Sequence, residues 1–418
     1  MRAECQFAKA GQGLFYNGIL TDRKGHVFSF VYDCGTLSNE RILNDSVNDF
    51  RGFIKKRLDM LFISHLHKDH ISHIPKLIEN ISLDTVVLPS IDPEIRLLLA
   101  STIDGIEINH ELVALYTDPA RYFAERGANQ IIILASDTNG GEPLFADEED
   151  KDNQENDREW DNPNEIRIFS RSNSVNQYSM FEATVLEYEG VTRFRIPCYS
   201  WEFRALNLHY DLYDCDFKKE VCKILKANDG DIGIILRNPV LTKQLREIYE
   251  QHFTGGRKKL NETSLIVRSR PILRGFISDN GVLPCQYQFK NDDMCQRKCH
   301  ENGHAETLLL GDISLNYKLA DRLLYHHFKR CDLLPRVIQL PHHGTRIPCS
   351  PICCDWFHHI GEQGLCTTIV ASYGLTNSYG HPDFLWNMDC CDYCHDKHPM
   401  IRLVNERQDY LYTVVCED

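Results

Sequence analysis

The segment Phe62-Ile63-Ser64-His65-Leu66-His67-Lys68-Asp69-His70-Ile71-Ser72-His73 holds the densest chemistry in the chain. It leaves an apolar, strand-like run at 60–63 and sets three imidazoles and a carboxylate within the six residues from His65 to His70. A loop between a strand and a helix lets neighbouring side chains converge on one point. Imidazole and carboxylate together are a donor set for divalent cations.

Outward from this segment, strand and helix alternate. Upstream, 2–8, 14–20 and 27–33 are strand-like runs parted by Gly11-Gln12-Gly13 and Arg23-Lys24-Gly25, and 39–58 has helical spacing. Downstream, 74–81 is helical, 85–89 a short buried strand, 111–126 helical and 131–135 a strand. That order predicts a layered α/β fold. From Asp147 to Glu165 ten Asp/Glu stand against two basic residues, so 136–165 is expected as an acidic mobile insertion outside the core. Residues 166–260 are expected as inserted strands and helices partly outside the core, with 201–210 a half-buried strand and 217–225 and 241–253 helical. The rhythm resumes with strand-like 264–267 and 307–310, helical 317–329, strand-like 337–340 and 367–372, and closes with 401–405 and 410–415. The expectation is a single domain over 1–418.

The chain has 60 Asp+Glu against 46 Lys+Arg, a formal charge of −14, and 42% hydrophobic residues. Such a composition excludes disorder, collagen and coiled coil as the main state. No apolar run approaches the roughly 18–20 residues of a membrane helix, and the first residues lack the apolar stretch of a secretory signal, so no membrane and a cytoplasmic location are expected. Seventeen cysteines cannot all pair within one chain, and in a reducing compartment they are expected as thiols or metal ligands. Lys55-Lys56-Arg57, Arg257-Lys258-Lys259 and Arg268-x-Arg270 carry charge that suits a phosphate backbone, although most runs of this length are solvated faces.

His65-x-His67-x-Asp69-His70 resembles the His-x-His-x-Asp-His motif of the metallo-β-lactamase superfamily. The resemblance implies an α/β fold, a four-layer αβ/βα sandwich with inserted segments, its site at one edge between two mixed sheets. It implies two divalent metal ions, one served by His65 and His67 and the other by Asp69 and His70. Asp33, in Tyr32-Asp33-Cys34-Gly35, is similar to an early Asp-x-Gly whose carboxylate orients a ligand histidine. Asp312, in Gly311-Asp312, is similar to the aspartate that bridges both metals. Leu340-Pro341-His342-His343-Gly344-Thr345 and Gly380-His381-Pro382, with Gly11-Gln12-Gly13 and Asn261-x-x-Ser264, resemble the hydrolase domain of ComEC-type DNA-uptake proteins and their soluble relatives. In that branch Asn261 and Ser264 stand where a third histidine of the first metal is usual, and His381 joins the second metal. His73 stands where relatives often carry glycine, which leaves a substrate contact and a helix-start surface residue both open.

The chemistry so implied is hydrolysis through a hydroxide shared between metals, first of all of a phosphodiester in DNA, RNA or a nucleotide. A carbonyl substrate (lactone, thioester or lactam) and a metal-stabilised partner-binding protein are the alternatives. Asp69, His342 and His343 are the candidate catalytic residues, with His343 favoured to protonate the leaving oxygen and either histidine open to ligating metal. Thr345 and Arg346 are candidates to donate to a phosphate. Mixed nitrogen and oxygen ligands suit Zn²⁺, with Mn²⁺ the alternative. Cys295/Cys299 and Cys391/Cys394 have the spacing of a structural zinc site, against the reading of small buried apolar side chains. Nucleic acid or a nucleotide is the expected substrate, and the inserted region the expected surface for a protein partner.

Overall fold

The computed structural model describes residues 1–137, 162–170, 176–208, 215–253, 264–272, 275–278, 305–313, 335–344, 368–377, 382 and 400–416. The chain opens with β1 (Arg2–Phe7), β2 (Gly13–Thr21) and β3 (Val27–Thr36), then α1 (Glu40–Ile54), β4 (Arg57–Phe62), α2 (Lys68–Ile71), α3 (Ile74–Ile78) and β5 (Ser82–Pro89). It continues through α4 (Pro93–Ser101), α5 (His110–Thr117), α6 (Pro119–Ala124), β6 (Gln130–Asp137), β7 (Arg167–Ser170), β8 (Asn176–Met180), β9 (Ala183–Glu189), β10 (Thr192–Ile196) and β11 (Trp201–Leu208). After α7 (Cys215–Ala227), α8 (Ile232–Leu236) and α9 (Pro239–Phe253) come β12 (Leu265–Pro271), β13 (Gly275–Ser278), β14 (Thr307–Leu309), β15 (Val337–Gln339), β16 (Thr368–Ser372), β17 (Met400–Val404) and β18 (Tyr410–Cys416).

The described strands form two mixed sheets. In the first, the order is β13-β18-β1-β2-β3-β4-β5-β6-β9-β8, antiparallel from β13 to β3, parallel from β3 to β9, and antiparallel again at β8. In the second, it is β7-β10-β11-β12-β14-β15-β16-β17, antiparallel up to β14 and parallel beyond it. The sheets meet where β6 pairs with β11, Asn207 opposite Ser136.

Side-chain alternation along the parallel strands sorts residues between two cores. On one side of β4, Leu61, and Ile63 just beyond the strand, share a buried apolar cluster with Leu43, Val47, Phe50 and Ile54 of α1, whose spacing makes one apolar helix face. On the other side Met60 and Phe62 face the second sheet, with Phe30 and Phe62 against Phe203 at ring-centroid distances of 4.9 and 5.3 Å and Phe62 against Phe194 at 6.0 Å. Among the described residues, helices, first sheet and second sheet are thus three layers. The stretch 317–329, read as helical, lies outside the described residues.

The strands of 166–208 are woven into both sheets, and Phe217, Val221 and Leu225 of α7 with Leu245 and Ile248 of α9 are buried against the helical layer. Of the acidic stretch 136–165, residues 138–161 lie outside the described residues. Among the described residues no helix is long and apolar enough to cross a membrane.

Candidate metal centre

The carboxyl ends of parallel strands from both sheets converge on one point, the position where open α/β sheets collect their ligands. The ladder between β3 and β4 ends at Tyr32 opposite Phe62, and Asp33 then takes a left-handed conformation with φ 58°. Its carboxylate crosses the start of the loop after β4: Oδ1 accepts from Ser64 N at 2.7 Å, and Oδ2 from Ser64 Oγ at 2.5 Å and His70 Nδ1 at 2.7 Å. Two residues on, a Cβ at Gly35 would lie 2.6 Å from backbone atoms of Asp69, His70 and Ile71. Glycine there lets β3 close on the turn that carries the second half of the motif.

In the second sheet β14 runs into Gly311 (φ 56°) and Asp312, whose N–H donates to Ser264 Oγ at 3.1 Å. After β15, His342 (φ 50°, ψ 39°) and His343 (φ 56°, ψ 24°) are successive left-handed residues closed by Gly344. That is a costly conformation for non-glycine residues, of the kind functional sites retain. It directs His342 N onto Asp312 Oδ1 at 3.0 Å and His343 Nε2 onto Asp69 Oδ2 at 2.9 Å. At the end of β16 the Ser372 carbonyl accepts from His343 Nδ1 at 2.8 Å.

Two groups of buried or half-buried ligand atoms result, each group spanning no more than 4.8 Å: His65, His67 and Asp312 in one, Asp69, His70, Asp312 and His343 in the other. Asp312 belongs to both. His65 Nε2 and His70 Nε2 are buried without a hydrogen bond and face Asp312 oxygens at 3.9 and 3.4 Å. Two ligands each about 2.1 Å from a tetrahedral cation stand roughly 3.4 Å apart, beyond ordinary hydrogen-bond length. The gap therefore fits a cation better than a proton. The opposite ring nitrogens are held by other groups, His70 Nδ1 by Asp33, His343 Nδ1 by Ser372, and His65 Nδ1 beside Ser64 Oγ at 2.9 Å and Ser264 Oγ at 3.3 Å. This arrangement turns each Nε2 towards the centre, as metal-binding histidines require.

The electrostatics agree with the donor set. Burial, with neighbouring imidazoles, pushes His65 down, and burial pushes His67 down, which favours the neutral ring that binds metal. Burial would raise Asp69 and Asp312, but His70 with His343, and His342 with His70, hold them below the usual carboxylate range. Burial opposes charge on His70 too, yet Asp312, Asp33 and Asp69 raise it. Without a cation these protons and carboxylates neutralise one another, and a cation bound here would take the protons' position.

Ser264 contacts His65 and the Asp312 backbone. His342 is buried beside Asp312, Nδ1 at 3.4 Å from Oδ2, with its Nε2 making no hydrogen bond. His73 is turned away, its Nε2 3.3 Å from the Glu40 carbonyl at the start of α1 and its Nδ1 3.0 Å from Ser72 Oγ. Asn261, Thr345, Arg346, His381, Cys295, Cys299, Cys391 and Cys394 lie outside the described residues. Sequence reasoning passed over Ser64, Ser372, Gln339 and Tyr116, whose hydroxyl donates to the Leu66 carbonyl between His65 and His67. Only Gln339, a polar residue inside an apolar strand next to Pro-His-His-Gly, carried a readable signal.

No family model matches this sequence, and no curated protein does. Among solved structures, the chain is similar to a crystal structure of a long form RNase Z from yeast, with a TM-score of 0.33 and 10% identity. That match covers 99% of this chain and 42% of the yeast protein, so the chain spans less than half of its length.

Proposed function

We propose that this chain is a metal-dependent hydrolase of the metallo-β-lactamase superfamily, in its ComEC-type branch, with a four-layer αβ/βα fold, and that it cleaves phosphodiester bonds in DNA, RNA or a nucleotide. The observation that carries the proposal is the pair of adjoining ligand sets that share Asp312. In this reading the attacking group is a water activated between the two ligand sets.

Divalent cations bound here supply Lewis acidity and lower the pKa of water, which is what displacement at phosphorus demands. His65, His67 and Asp312 would hold one ion, and Asp69, His70, Asp312 and His343 the other, with Zn²⁺ the first choice and Mn²⁺ the second. The residues around them do the remaining work. Asp33 holds the proton of His70 Nδ1 and so keeps Nε2 directed inward. We give His343, whose Nδ1 is held by the Ser372 carbonyl and whose Nε2 lies beside Asp69, the role of a ligand to the second ion, supported by its place in that ligand group. His342 has a nitrogen to spare, and Nε2 is the atom from which a proton reaches the leaving oxygen. Thr345 and Arg346, next in the chain, are assigned to the phosphate, and His381 to the second ion.

The test is incubation of the purified chain with plasmid, single-stranded DNA, bis-p-nitrophenyl phosphate and nitrocefin, each with Zn²⁺ or Mn²⁺. The expected result is phosphodiester cleavage that His67→Ala and Asp312→Ala abolish. Turnover of nitrocefin alone would overturn the substrate class, and cleavage that survives Asp312→Ala would overturn the site.

A further inference from the structure

One side chain holds the two second-sheet loops that carry Asp312 and His343. Gln339 closes β15, buried beyond the last rung that pairs β14 with β15, Leu308 opposite Ile338. Its Oε1 accepts from Leu310 N at 2.8 Å and from Gly311 N at 2.9 Å. Its Nε2 donates to the Gly311 carbonyl at 3.1 Å and to the Leu340 carbonyl at 2.6 Å. All the hydrogen-bonding capacity of the amide is used. Three of the bonds go to the backbone immediately before Asp312. The fourth goes to the residue before Pro341-His342-His343-Gly344. Where the sheet's own ladder stops, this amide takes over and fixes the spacing of the two loops.

We infer that Gln339 is a positioning residue that sets the distance between Asp312 and His343, and thereby the affinity of the second cation in preference to the first. The inference rests on the metal-centre reading above. The two sets differ in what they draw from the clamped loops. His65, His67 and Asp312 take one ligand from them, whereas Asp69, His70, Asp312 and His343 take one from each. A change in loop spacing therefore distorts the second set internally, while the first can follow Asp312 alone. No charged or metal-ligating group on Gln339 is needed for this role, only an amide with both a donor and an acceptor.

The experiment measures Zn²⁺ itself, with the full chain stripped by chelator and titrated against a chromophoric competitor, alongside melting of the metal-free form. Gln339→Glu keeps an acceptor for the two N–H groups and loses the donor to the two carbonyls. Gln339→Met removes both at similar volume. Loss of an outer partner of metal ligands typically weakens affinity about 10–100-fold. The expected result is a loss of that size in one of the two zinc affinities, the one that His343→Ala also lowers, with the other changed less than about threefold and the metal-free chain of each variant still folded at the assay temperature. Equal loss of both affinities, or unchanged affinities in either folded variant, overturns the inference about Gln339. A wild-type chain that binds no zinc, or binds as much after Asp312→Ala, overturns the centre and Gln339's role with it.

Discussion

Asp33 and His70 are 37 residues apart in sequence and 2.7 Å apart in space, the Asp33 carboxylate on the ring nitrogen opposite the one that faces Asp312. Burial lifts the Asp33 carboxyl above its ordinary range, and His70 and Ser64 pull it back. Its two oxygens are occupied three times over, so an amide cannot replace it without one mismatched donor. Asp33→Asn should weaken zinc binding by about 10–100-fold while leaving far-ultraviolet circular dichroism unchanged. Wild-type affinity in that variant would remove Asp33 from any role at the centre.

Gly35 is the second contact between β3 and the motif. A methyl group 2.6 Å from the Asp69, His70 and Ile71 backbone must displace one of the two elements. Gly35→Ala should cost about 1–3 kcal/mol of stability, as overpacking does, and lower zinc stoichiometry at the same time. A melting curve and a metal assay on one preparation read both.

Where the sheets face each other, Phe203 touches Phe30 and Phe62. Phe203→Ala should destabilise the chain by about 3–5 kcal/mol, measured by urea unfolding. The loss should appear with or without zinc, because the site residues are not among its ring partners.

Glu202 supplies a pH-dependent contribution remote from the metal. Burial would raise its carboxyl, but Arg204 and Arg270, with Arg195, bring it down to about 2. A carboxylate depressed on folding stabilises the native state above its unfolded pKa, and that stabilisation disappears as pH falls from about 4.5 towards 2. The shift corresponds to about 3 kcal/mol at neutral pH. The stability gap between wild type and Glu202→Gln should be full at pH 6 and shrink steadily below pH 4. A gap independent of pH would show that the carboxylate's charge is not what matters.

The parts of the centre legible in the sequence were those whose chemistry is unusual for a loop. His65, His67, Asp69 and His70 stand out because imidazoles are rarely so dense, whereas Asp312 and His343 came from the resemblance of Gly311-Asp312 and Pro341-His342-His343-Gly344 to family motifs. Ser64 and Ser372 did not stand out, since they act through a hydroxyl or a carbonyl that almost any residue offers. Secondary structure divided in the same way. Strands β1 to β3 followed from strand-like runs between glycine turns, and β4 to β6 from short apolar runs between helical stretches. The helix expected over 39–58 stops at Ile54, where Lys55 turns left-handed (φ 59°) and Leu58 becomes a strand residue. The single helix expected over 111–126 is two, because Pro119 breaks the ladder and Asp118 caps the second through Arg121 N. Helix α4 was invisible because Leu97 to Ala100 are buried on every side and leave no periodicity to read. The half-exposed strands β7 and β8 alternate too weakly to declare themselves.

Asp312 belongs to both ligand groups, and it comes late in the chain. A ribosome releases His65, His67, Asp69 and His70 long before it adds Asp312 and His343. A nascent chain would therefore offer two of the three ligands of the first group and two of the four of the second, and tight capture of a cation would wait until the two sheets have met. On this reading a chain truncated before residue 312 would lack the ligand common to both groups and would hold no cation tightly.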